Sequence, residues 1–178
     1  MDYQEIIKEV KAKKYRQVYF LHGNEPYFID QISDYIEKNV LDEVEKEFNQ
    51  TVAYGADLSA EELVSIANRF PMMGDKQVVI IKEAQNIRNL MGRSEDEEVP
   101  RNDKKEKKEK QKPAFEQYLE NPQQSTILVL CYKHKKFDGR TTVAKALAKY
   151  AVVMESKQLY ENQMGGFIDS YVRNYGFT

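Results

Sequence analysis

Short apolar runs alternate with stretches of helical periodicity along this chain, and that alternation narrows its fold more than any other feature. It predicts an α/β domain in three layers, a parallel sheet of about five strands flanked by helices. The first run is Gln17 to His22, closed by Gly23, Asn24, Glu25 and Pro26. Phe28, Ile32, Tyr35, Ile36 and Val40 then recur at a spacing near 3.6, so a helix follows, and Pro26 suits its first turn. A second strand is expected over Glu47 to Tyr54, stopped by Gly55. Ser59 and Glu62 have capping-box spacing and open a helix carrying Leu63, Ile66, Ala67 and Phe70. Pro71 is expected to end it, because a proline pushes the preceding residue out of helical geometry. The third strand, Gln77 to Ile81, is apolar on both faces and therefore central.

Residues 93–112 break this rhythm. Apart from Pro100 they hold one apolar residue, Val99, among clustered acids and lysines, too few to offset the entropy of ordering, so a solvated insertion is expected. A short helix from Pro113 to Asn121 stops at Pro122, and Thr126 to Tyr132 gives the strongest strand pattern of the chain. A polar loop, His134 to Gly139, leads to a helix over Thr141 to Tyr150 and a fifth strand over Ala151 to Met154. A last helical pattern, Leu159 to Tyr175, is weakened by Gly165 and Gly166. The expected organisation is one domain over 1–155, followed at 156–178 by the start of a helical lid domain.

The turn after the first strand is where a phosphate-binding loop would stand. A working loop reads G-x-x-x-x-G-K-[ST]: backbone amides cradle the phosphates, lysine neutralises them and the hydroxyl ligates magnesium. Gly23 is in place here, followed by Asn24 and Glu25. Phe28 replaces the second glycine, while Ile29 and Asp30 hold the lysine and hydroxyl positions. Glu25 and Asp30 would repel phosphate, and Phe28 and Ile29 are expected to pack under the sheet. The third strand ends in Lys82 and Glu83 where a magnesium-binding aspartate belongs. A P-loop-like domain with a degenerate nucleotide site is the reading, with no cofactor and no catalysis of its own.

Other chemistries find few residues. Cys131 is the single cysteine and sits in an apolar run, which excludes an internal disulfide or a multi-cysteine zinc site and predicts a buried, inert thiol. His22 and His134 lack metal-ligand spacing and are expected to be structural and solvated respectively. The net charge of -2 supplies no general attraction to DNA or to an anionic membrane. The amino terminus is polar and no apolar run reaches the roughly 20 residues of a membrane span, so a cytoplasmic location is expected. One apolar feature stands apart: Phe70, Pro71, Met72 and Met73, closed by Gly74, in the loop before the third strand. Two consecutive methionines in so short a loop do not easily share one core, so either they plug the gap under the helix end or at least one faces solvent.

An ordered set of segments resembles the delta subunit family of bacterial DNA polymerase III: Val18 to Ile29, Phe48 with Asn49, Tyr54 with Gly55, Phe70 to Ile81, Ser125 to Leu130 and Lys136 to Arg140. The likeness spans nearly the whole chain outside the charged insertion. It implies an AAA+ fold that does not bind ATP, within the clamp loader, the assembly that opens a ring-shaped sliding clamp (the beta subunit) for loading onto DNA. In that family an apolar pair in the loop before the third strand enters a pocket of the clamp. Met72 and Met73 match it, flanked by Phe70 and Pro71, although a leucine–aromatic pair is common there. The resemblance also implies that DNA is met only in the assembled complex, and that the lid and the collar that joins other loader subunits lie largely outside this sequence. Three rivals stay open: a nucleotide-binding AAA+ or P-loop ATPase, the delta-prime subunit, whose zinc-binding cysteines Cys131 alone cannot supply, and an unrelated doubly wound enzyme.

Overall fold

The computed structural model describes residues 1–91, 112–135 and 137–158, together with Gly165. Its centre is a parallel sheet of β1 (Val18–Gly23), β2 (Gln50–Tyr54), β3 (Gln77–Lys82), β4 (Thr126–Lys133) and β5 (Val152–Ser156), in the order β2-β3-β4-β1-β5. Leu128 lies opposite Val18, and Gln77 opposite Thr126, so the apolar runs are in register across the middle of the sheet.

Alternation along each strand builds two cores. Phe20, Val79, Ile81, Leu128 and Leu130 face α4 (Ala60–Ala67), α5 (Ala114–Glu120) and α6 (Thr142–Tyr150). Tyr19, Leu21, Ile80, Val129 and Cys131 face α1 (Tyr3–Lys11) and α2 (Pro26–Asn39). Each fully buried aliphatic side chain contributes about 1.5–3 kcal/mol, which is why both faces must be covered. The expected three-layer α/β architecture is therefore the one observed. Burial pushes the Cys131 thiol up to about 11, the inert state expected of it.

One element is added and three local expectations are corrected. The amino terminus, valued above only for its polarity, forms α1; Asp2 and Glu5 make a capping box, and Ile6 and Val10 are buried one turn apart. Residues 47–49 belong not to the second strand but to a helix, α3 (Glu43–Asn49), capped by Asp42 and Glu45. That capping box outweighs the strand propensity of the residues after it. Helix α4 ends at Ala67, three residues before Phe70, so Phe70 is a loop residue and Pro71 is not what stops the helix. Strand β5 runs on to Ser156, two residues past its expected end. The charged insertion, apart from Lys112, and the helical pattern over 159–175, apart from Gly165, lie outside the described residues.

Candidate interaction loop and the degenerate phosphate loop

Because the strands are parallel, Gly23 at the carboxyl end of β1 and the loop before β3 stand at opposite ends of the sheet. They are two separate sites.

At the Gly23 end, the space beside the glycine is filled by the protein itself. Gly23 has φ +138, and a Cβ there would stand 2.8 Å from both the carbonyl carbon and the nitrogen of Ser156. The Ser156 hydroxyl donates to the Glu25 carbonyl at 2.6 Å, and the Glu25 amide donates to the Ser156 carbonyl at 3.4 Å. The Glu25 carboxylate accepts from the Tyr27 amide at 3.1 Å, so the positive end of α2 is capped by an anion of this chain. Asn24 is exposed. Ile29 is fully buried under the sheet as expected, whereas Phe28 is half-buried against Tyr3 of α1, ring centres 5.2 Å apart. Asp30 is ion-paired with Lys133 at the end of β4, and Lys82 with Glu37 of α2 at 3.6 Å. Among the described residues, no group of three or more acidic, histidine or cysteine side chains converges as a metal site.

His22 packs between Phe20 and Phe137, ring centres 5.5 and 5.0 Å away, and burial lowers its pKa from 6.5. The unfolded chain therefore binds this proton more readily than the folded one. We expect full stability above about pH 6.5 and a progressive loss as pH falls from there through the lowered folded pKa. Denaturant titrations of the protein and of His22→Gln between pH 5 and 7.5 should show the slope reduced in the variant. An equal slope in both would reject this account. His134 is exposed in its loop, as expected.

At the opposite end, the loop between α4 and β3 carries an apolar tip. Phe70 is 77% exposed, Met72 81% and Met73 48%, with Pro71 half-buried between them. The plug-under-the-helix alternative is excluded for Met72 by that exposure. The loop is nevertheless built on buried polar groups. The Gln77 side chain donates to the Ile66 carbonyl at 3.1 Å and to the Thr126 hydroxyl at 2.9 Å, and that hydroxyl donates to the Ala67 carbonyl at 2.8 Å. Two carbonyls at the end of α4 thereby gain partners, which fixes where the loop leaves the helix. On its other side Asn49, the last residue of α3, accepts at Oδ1 from the Met72 amide at 2.7 Å and the Met73 amide at 3.3 Å. Gly74 turns the chain at φ +67 against the Glu45 carboxylate, a position where a side chain would be strained and crowded.

Asn49, Gln77 and Thr126 were not singled out as site residues from the sequence. The available signal was a polar residue at each helix–strand junction, which acquires meaning only once the topology brings three junctions together. Val44 and Phe48 are also exposed on α3, four residues apart and so on one helix face.

Comparison with known proteins bears on this arrangement. The family model for "DNA polymerase III, delta subunit" matches residues 19–157, which include both sites. The DNA polymerase III subunit delta of Bacillus subtilis (strain 168) is 31% identical over 163 residues, covering 92% of this chain and 44% of that protein. A solved structure of the Bacillus subtilis DNA clamp loader delta protein superposes with a TM-score of 0.75 at 27% identity, over 97% of this chain and 48% of that one. The chain thus spans about half the length of these relatives. With the family match running from β1 to the residue after β5, and the fold shared with a clamp loader delta protein, the chain belongs to the DNA polymerase III delta subunit family.

Proposed function

We propose that this chain is a non-catalytic clamp-loader subunit that docks on the sliding clamp through Phe70, Pro71, Met72 and Met73 and helps to open the ring for loading onto DNA. The observation that carries the reading is the exposed apolar tip on a loop held by buried polar side chains, since soluble proteins rarely display large apolar groups on a fixed support without a partner. Opening follows from docking only if the clamp surface that receives the loop differs between closed and open rings, because a ligand shifts an equilibrium by its differential affinity. ATP is bound and hydrolysed by neighbouring subunits. Contacts with those subunits, and with DNA, belong to the assembled complex. A cytoplasmic setting is part of this proposal. Among the described residues, no helix is long and apolar enough to cross a membrane.

The test is binding of the folded chain to the sliding clamp of the same organism by calorimetry. Measurable binding is expected at micromolar concentrations, and its absence would remove the reading.

Nucleotide supplies a second test. Glu25 occupies the helix N-terminus, Asp30 is paired with Lys133, and Ser156 abuts Gly23, so among the described residues no cationic cradle is left there for phosphates. Saturating magnesium-ATP is expected to move the melting temperature by less than about 1 °C, whereas a ligand at 100 times its Kd would add about 2.7 kcal/mol. A shift of several degrees would favour the alternative, a nucleotide-binding AAA+ ATPase.

A further inference from the structure

We infer that Asn49 is a positioning residue for the docking loop, holding Met72 and Met73 in their binding arrangement before any partner arrives; the inference rests on the docking reading above. Asn49 is only 4% exposed and does not itself present a surface to a partner. Its side chain is instead spent on the loop backbone. Oδ1 accepts from two successive amides, those of Met72 and Met73, and Nδ2 donates to the Met73 carbonyl. Only an amide can do all three, because a carboxylate lacks the donor and a hydroxyl lacks the reach and number of partners. One turn earlier on the same face of α3, Glu45 contacts the loop again at Gly74 while its other oxygen accepts from the Asp42 amide at 3.1 Å. The helix is therefore a template against which the backbone under the two methionines is fixed.

The physical consequence concerns when the loop is ordered. A loop whose amides are bonded only to water must be immobilised on association, which weakens binding without removing any contact; a loop already held avoids that loss. Asn49 thus acts on the partner through Met72 and Met73.

The experiment compares the unmodified protein with Asn49→Ala and Asn49→Asp, measuring affinity for the sliding clamp and amide hydrogen exchange. For Asn49→Ala we expect affinity to fall by about tenfold, the scale of one lost anchoring group. The Met72 and Met73 amides should lose protection while Val78 to Ile81 of β3 keep theirs. Asn49→Asp retains the acceptor but not the donor, so it should restore protection at Met72 and part of the affinity. Unchanged clamp affinity in Asn49→Ala would overturn the inference. So would a parallel loss of protection in β3, which would mark Asn49 as a general stabiliser of the domain. The two readings fail differently. If the unmodified protein does not bind the clamp, the docking reading falls and the inference falls with it. If it binds, and Met72→Ala/Met73→Ala weakens it while Asn49→Ala does not, only the inference falls.

Discussion

Met72→Ala/Met73→Ala should bind the sliding clamp roughly thirty- to several-hundred-fold more weakly than the unmodified protein, while unfolding at nearly the same temperature. The two halves of this result come from one property. Met72 is 81% exposed and Met73 48%, so their side chains contribute little to the folded state and truncating them should cost no more than about 0.5 kcal/mol of stability. In a complex the same atoms leave water. Burial of both could supply about 3–6 kcal/mol before association costs, and truncation should forfeit about 2–4 kcal/mol of it. Phe70 is as exposed as Met72, and Phe70→Ala supplies an internal comparison: a comparable loss would place the centre of the contact on the whole tip rather than on the pair. Clamp affinity unchanged in the double variant, with its fold intact by circular dichroism, would sink the assignment of this loop as the docking element.

How much of this was legible beforehand differs between the two ends of the sheet. The strands were visible because β3 and β4, covered on both faces, must be apolar at every position, and Gln77 to Ile81 and Thr126 to Tyr132 are nearly so. The departures at Phe28, Ile29 and Asp30 were visible because a phosphate loop demands particular residue types. What replaces the phosphate was not visible, since the Ser156 contact and the Lys133 ion pair join residues far apart in sequence, although the Glu25 cap, made to the Tyr27 amide two residues on, is local. The apolar loop was located by its composition, but its exposure was undecided, because a methionine pair reads the same whether it fills a gap or faces solvent. Its support was missed for a simpler reason. The sequence pattern places Asn49 in a strand, and only the Asp42–Glu45 capping box makes it the end of a helix. A polar residue in an edge strand has no special meaning; at the end of α3 it faces the loop.

Gly23→Ala should destabilise the domain by about 3 kcal/mol, lowering its melting temperature by about 6–12 °C, and do so without any nucleotide in the experiment. In a working phosphate loop a glycine at this turn lets backbone approach phosphate, so its substitution acts first on ligand affinity. Here the neighbour is β5. A methyl group on Gly23 would stand 2.8 Å from the Ser156 carbonyl carbon and closer still to its oxygen, and those are backbone atoms that cannot rotate away. The φ of +138 adds strain that an L-residue does not relieve. Relaxation would have to move β5 off β1, breaking the register that sets Gly23 opposite Ser156 and with it the hydrogen bonds between Ser156 and Glu25. Gly139→Ala is the matched control, because nothing lies within 4 Å of a Cβ there, and its effect should stay within about 0.5 kcal/mol. A Gly23→Ala protein that melts with the unmodified one would mean that the sheet edge yields more easily than its contacts imply. The confirmed result would show a glycine that serves packing, holding the edge of the sheet together at the end opposite the apolar tip.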